Sequence, residues 1–160
     1  MEDAVQVHCN IRTKETCVTA KTRVERQRWF TAALTKPTWF TEKTQVGEFQ
    51  YHMEASQLAH LQLWSVVANQ KVTFECNNAA ILTKAAFYAD NGLLISQDNK
   101  KFRYNVVKDE CQLKKNTWSE SIVQMKTRQP NRLPIRDMAV SDAGQENQYF
   151  GFTLGDVCFA

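Results

Sequence analysis

The chain closes on Gly155-Asp156-Val157-Cys158-Phe159-Ala160, so a cysteine sits two residues from the last position. Chain ends fray unless something ties them down. An apolar tail carrying a cysteine therefore reads as a strand stapled into the body by a disulfide. That expectation places the protein in an oxidising compartment and makes Cys9, Cys17, Cys76 and Cys111 part of one framework. The alternative is a chain with five reduced, mostly buried thiols. No C-x-x-C pair occurs, which argues against a zinc ribbon or a thioredoxin-type redox site. Five is an odd number, so one cysteine is left to pair outside this sequence or to remain free.

A chain of 160 residues, 43% hydrophobic and 23% charged, is long enough to bury one core and reads as a single domain. The net charge of +3 lacks the concentrated basic stripe of a nucleic-acid binder. The nearest approach is Lys21-Thr22-Arg23-Val24-Glu25-Arg26-Gln27-Arg28 beside Trp29 and Phe30. That mixture suits a polyanion, but Glu25 interrupts it and the stretch reads as a solvated connection. No apolar run approaches the length of a membrane span. The first residues, Met1-Glu2-Asp3-Ala4-Val5-Gln6-Val7, have neither the basic nor the apolar region of a signal peptide. A secreted reading then requires this sequence to be a piece of a longer precursor.

Alternation marks short strands along most of the chain. They are expected at Val5–Cys9, Glu48–Tyr51, Lys71–Cys76, Leu93–Ile95, Phe102–Val107, Trp118–Lys126 and Tyr149–Leu154. Leu133–Val140 reads as an edge strand, because Pro134 cannot donate to a ladder. Residues 19–48 read as irregular, pinned by Trp29-Phe30 and Trp39-Phe40. The best helix covers 54–68, with Ser56 as N-cap. Leu58, Leu61, Leu63, Val66 and Val67 predict burial on more than one side, with His60 packed among them. Asp90-Asn91-Gly92 is a turn signal. One helix among many strands defines a β-rich α+β domain of antiparallel sheets, stapled by disulfides.

Nothing in the sequence assembles a catalytic centre. G-x-S-x-G, H-E-x-x-H and P-loop motifs are missing. His8 and Cys9 are neighbours on an expected strand and point to opposite faces, which makes a poor base–nucleophile pair. Asp109-Glu110 lies in a polar, turn-like stretch and reads as solvated. The expectation is a non-enzyme.

An ordered series of short motifs carries a resemblance. It comprises Glu15-Thr16-Cys17-Val18, Trp39-Phe40, Phe49-Gln50-Tyr51, Gln57-Leu58-Ala59-His60-Leu61, Val72-Thr73-Phe74-Glu75-Cys76-Asn77-Asn78, Arg132-Leu133-Pro134-Ile135 and Gly155-Asp156-Val157-Cys158-Phe159. Together these resemble the C-terminal propeptide domain of fibrillar procollagens, from about Asp3 to Phe159 and including all five cysteines. The resemblance implies two intrachain disulfides, Cys17–Cys158 and Cys76–Cys111. It leaves Cys9 without its usual partner, which in the family lies in an N-terminal region outside this sequence. It also implies a calcium site whose ligands come from a segment just before this one, with Asp3 as the last ligand. One carboxylate is far from the six to eight oxygens that calcium takes. The domain 1–160 is thus read as lacking the N-terminal stalk and calcium segment.

Two departures from the family pattern stand out. Lys71 occupies the place of a glycosylated asparagine, and no N-x-S/T sequon occurs in the chain. The segment His52-Met53-Glu54-Ala55-Ser56, which matches the chain-selection region of the family, is shorter than in the major vertebrate fibrillar collagens. The resemblance implies a secreted, extracellular-matrix module that trimerises and registers procollagen chains, here with a homotrimer as the expected product. Its partners would be other procollagen chains and a processing proteinase acting upstream of residue 1. The alternative is a free-standing secreted module that uses the same fold to bind a glycan or matrix protein.

Overall fold

A computed structural model describes residues 7–28, 38–41, 47–80, 82, 85–140 and 147–160. Two antiparallel sheets and one principal helix account for the regular structure. In chain order the strands are β1 (His8–Asn10), β2 (Glu15–Val18), β3 (Arg23–Arg28), β4 (Thr38–Trp39), β5 (Ala68–Asn77) and β6 (Ala86–Tyr88). They continue with β7 (Leu94–Ser96), β8 (Asn105–Asp109), β9 (Ser119–Thr127), β10 (Asp137–Val140) and β11 (Tyr149–Phe159). Helix α1 covers Ala55–Trp64. This is the β-rich α+β architecture that the alternating pattern implied.

The larger sheet has seven strands in the order β1-β2-β11-β5-β9-β8, with β3 also paired to β11. Strand β11 is its spine. One edge of β11 pairs along nearly its whole length with β5, and the other is shared by β2 and β3. The smaller sheet runs β4-β10-β6-β7. Alternation fixes which side of β5 faces inward: Ala68, Gln70, Val72, Phe74 and Cys76 are buried, and the intervening residues are not. Phe74 then meets Phe87 of the smaller sheet (ring centroids 6.3 Å apart) and Phe152 of β11 (6.5 Å). Phe40 and Phe49 complete the cluster around Phe152 at 5.3 and 5.6 Å. Each fully buried phenylalanine contributes about 2–3 kcal/mol relative to exposure.

Several expectations need correction. Residues 19–48 are not wholly irregular, since β3 and β4 lie there, and the basic stretch is a sheet strand rather than a connection. Val24 supplies its anchor: it is buried opposite Phe152. Glu48–Tyr51 forms no strand; Tyr51 makes one isolated bridge to Ala20. The expected strand beginning at Val5 starts at His8 among the described residues. Trp29 and Phe30 lie outside the described residues.

Leu133–Val140 is not an edge strand. Leu133–Pro134 is a cis peptide ahead of the ladder, and β10 begins only at Asp137, between β4 and β6 and buried throughout. The ladder avoids proline by starting after it. The final strand runs five residues beyond Leu154, because a bulge between Leu154 and Val157 lets pairing with β5 resume. Gly155 sits at that bulge, where a Cβ would lie 2.7 Å from the Lys71 carbonyl oxygen. Only glycine tolerates so close a backbone approach. The Asp90-Asn91-Gly92 signal is a turn between β6 and β7, with Gly92 at φ 85° and its N–H on the Ala89 carbonyl.

The helix departs furthest from expectation. It ends at Trp64, and its N-cap is Glu54 rather than Ser56. The Glu54 backbone N–H donates to the Gln57 side-chain oxygen at 3.4 Å. Leu58 is its only buried residue, and His60 is exposed rather than packed in the core. The inward face is partly polar. Gln62 Nε2 donates to Asp90 Oδ2 (2.9 Å) and to the Leu133 carbonyl (2.8 Å). One-sided docking of this kind leaves the apolar residues of the opposite face in water.

Candidate functional site

Two disulfides fasten the larger sheet. Cys17 of β2 stands directly opposite Cys158 of β11 and is bonded to it, with Cα atoms 4.1 Å apart. Cys76, near the end of β5, is bonded to Cys111, which follows β8 (Cα–Cα 5.8 Å). The second bond crosses over β9, the strand between β5 and β8. Ser121 of β9 supports the crossing: its buried hydroxyl accepts the backbone N–H groups of Glu110 and Cys111, each at 3.1 Å. Cys9 lies on the edge strand β1 as an exposed free thiol.

Asp3 lies outside the described residues. Among those described, one group brings three potential metal ligands together: Glu15, Cys17 and Cys158. It does not fit calcium. Both sulfurs are spent in the disulfide, and the Glu15 carboxylate already accepts the Asn69 amide at 2.9 Å.

The segment His52–Ser56 is the lead-in and first turn of α1. Tyr51 anchors it from below. Its hydroxyl donates to the Ile135 carbonyl (2.8 Å) and accepts from Gln70 Nε2 (2.8 Å), while Gln70 Oε1 accepts the Ile135 N–H (3.0 Å). Gln70 is wholly buried, and burial drives the Tyr51 phenol far above its ordinary pKa, keeping it a neutral donor. The Arg136 guanidinium covers the ring at 5.5 Å and pairs with Asp90 at 2.8 Å. Above this base the segment opens outward. The His52 N–H is held by the Thr19 carbonyl (2.9 Å) and Met53 packs partly against the core. His52, Glu54, Ala55 and Ser56 are exposed.

The sequence reading missed what lies at the other end of α1. Leu63 is 79% exposed, Trp64 82%, Val66 73% and Val67 40%. The signal available was the stretch from Leu61 to Gln70, which holds no charged residue yet includes two polar glutamines that the helix and β5 turn inward.

These features describe a disulfide-closed antiparallel β-domain whose exposed helix face is its candidate site. The family model for the fibrillar collagen C-terminal domain matches residues 1–159. Relatives include the collagen alpha-2(I) chains of Oryctolagus cuniculus and Rattus norvegicus, each 32% identical over 177 residues and 98% of this chain. The collagen alpha-1(I) chain of Gallus gallus is 33% identical over 179 residues. The chain spans 34% of the rabbit protein's length and 12–13% of the rat and chicken proteins. The alignments are longer than the chain, so these relatives carry insertions with respect to it. The chain belongs to the fibrillar collagen C-terminal domain family, a family of structural-protein domains rather than enzymes.

Proposed function

We propose that this domain is the trimerisation and chain-registration module of a fibrillar procollagen. The observation that supports it most is the match of residues 1–159 to the fibrillar collagen C-terminal domain, in a fold closed by two disulfides. The physical need is specific. A collagen triple helix demands glycine at every third position in three chains held in register. Repetitive sequence offers many equivalent offsets and cannot select one. A folded head that binds two copies of itself raises the local concentration of the attached chains and fixes their stagger before the helix propagates. With only five glycines, this chain contains none of the triple helix itself.

The product is a homotrimer, made along the secretory route and delivered to the extracellular matrix, where a proteinase separates the head upstream of residue 1. Calcium would act through a segment outside this sequence, to which Asp3 contributes one carboxylate. Native mass measurement of the domain, with and without calcium, tests the reading. A trimer in either condition supports it. A strict monomer in both refutes self-assembly by residues 1–160.

A further inference from the structure

Two stretches of the chain carry cations and no acids. Asn99 to Lys108 holds Lys100, Lys101, Arg103 and Lys108, and Ser121 to Arg136 holds Lys126, Arg128, Arg132 and Arg136. The fold sets these stretches side by side. Strand β8 runs antiparallel to β9 with Asn105 opposite Gln124, and Arg132 Nη1 donates to the Lys101 carbonyl at 3.2 Å. The segment that enters β8 therefore lies beside the end of β9 and the turn after it. Two of these cations are paired, Lys108 with Glu110 at 3.7 Å and Arg136 with Asp90 at 2.8 Å. The other six form no ion pair among the described residues. Five of the six are exposed, and Arg132 is half-buried. The corner is also held in place. Asn99 ties the turn, its Nδ2 donating to the Leu94 carbonyl (2.7 Å) and its Oδ1 accepting the Lys101 N–H (2.8 Å). Arg103 Nε donates to the Asn99 carbonyl at 3.2 Å, while Phe102 and Tyr104 on either side are buried. The Arg132 guanidinium lies over the Phe102 ring at 5.2 Å, and its Nε is buried without a partner.

We infer that this corner, with Lys100, Lys101, Arg103, Lys126, Arg128 and Arg132, is a binding site for a sulfated polysaccharide. The first support is charge. With Asp98, in the turn ahead of Lys100, counted against the six cations, the corner keeps an excess of five, above the +3 of the whole chain. Charges of one sign so concentrated raise the local concentration of a polyanion. The second is preorganisation. Arg103 and Arg132 each engage a backbone carbonyl and keep further N–H donors for an anion, so little side-chain freedom remains to be lost on binding. An anion against Arg132 would also compensate a cation that is partly withdrawn from water and has no carboxylate beside it. The third concerns which polyanion. Single-stranded nucleic acid is gripped by exposed aromatic rings, and here the rings of Phe102 and Tyr104 are buried. The exposed neighbours are instead amides, Asn105, Gln129 and Asn131, which suit sugar hydroxyls. The two disulfides place the folded domain in an oxidising environment, outside the cell, where sulfated polysaccharide is the abundant polyanion.

The test is titration calorimetry with heparin across a range of salt on three forms of the domain. These are the parent, Arg103→Gln/Arg128→Gln, and the control Lys114→Gln/Lys115→Gln, which removes the same charge from the loop before the opposite end of β9. All four positions are exposed, and circular dichroism with a count of one free thiol verifies that each form folds. The expected result is parent binding at ~0.15 M salt. The corner variant should bind at least tenfold more weakly, with the slope of log affinity against log salt lower by about two, and the control should change less than twofold. A parent that does not bind, or equal weakening in the two variants, overturns the site. Competition with hyaluronan, which carries carboxylates and no sulfate, and with single-stranded DNA of equal charge fixes the class. Weaker competition by both supports a sulfated ligand, and competition equal to heparin by either overturns it. None of these outcomes depends on whether the domain trimerises.

Discussion

Replacing Gln70 by leucine tests the polar joint that supports the candidate site. The side chain is fully buried and serves three partners: Tyr51 Oη at 2.8 Å, the Ile135 N–H at 3.0 Å and, more weakly, the Gly155 carbonyl at 3.3 Å. Leucine nearly conserves the volume, so the cavity contribution is small and the polar loss dominates. The Ile135 N–H is left buried without an acceptor, which costs about 1–3 kcal/mol, and losing the bond to Tyr51 adds about 1 kcal/mol. The sum, about 2–4 kcal/mol, lowers the midpoint of a domain this size by about 5–15 °C. Tyr51→Phe removes a bond from the same group, so the double variant should lose less than the sum of the two singles. Guanidinium unfolding with the disulfides intact measures all three. Hydrogen exchange at the Ile135 amide reports the joint directly, and its protection should fall more than that of β9. A loss below about 0.5 kcal/mol for Gln70→Leu, with Ile135 still protected, would refute the reasoning.

Two other outcomes follow from the covalent frame and from burial. Opening Cys17–Cys158 by paired serine substitution should cost roughly 5 kcal/mol and opening Cys76–Cys111 roughly 4, since the closed loops span 141 and 35 residues. Thiol titration of the parent in denaturant should find one thiol, and five would remove the basis for both figures. Burial pushes the Tyr104 phenol up to about 12, with Asp98 and Asp109 adding to the shift. A raised folded-state pKa means that stability is complete below the unfolded value near 10 and declines as pH rises from there to about 12. Urea unfolding across that range should show a smaller decline in Tyr104→Phe than in the parent, and equal declines would exclude this tyrosine as the cause.

The sequence made the larger sheet legible because its inner strands alternate strictly. In β5 every second residue is buried, as are Ser121, Val123 and Met125 in the middle of β9, and period two needs no tertiary knowledge to be seen. Short strands in the smaller sheet were harder. In β10 all four residues are buried, so alternation vanishes where both faces of a strand are covered. Pro134 then suggested an edge, although the ladder simply begins three residues later. The helix departs from its pattern for a related reason. Its apolar residues suggest burial, but Gln62 occupies the inward position and Leu63 and Trp64 point out. Hydrophobic pattern identifies surface that must leave water; it does not say whether the cover comes from the same chain. The bulge that lets β11 continue to Phe159 was equally hidden, because Gly155 reveals its necessity only when Lys71 is known to lie beside it.

The pairing order also constrains when the candidate surface can exist. Strands β2, β3 and β5 share no ladder with one another; β11, the last strand in sequence, is what joins them. Most of the pairing that defines the larger sheet is therefore long-range, and such topologies form slowly because loops must close before contacts repay them. The segment after α1 depends on the same event. Val66 and Val67 hold their position through Ala160, the residue after β11, and Cys158 locks that strand to β2. An apolar surface that becomes ordered only when β11 docks is not presented in its final form by a half-folded domain. The final form of the segment after α1 is thereby coupled to completion of the larger sheet.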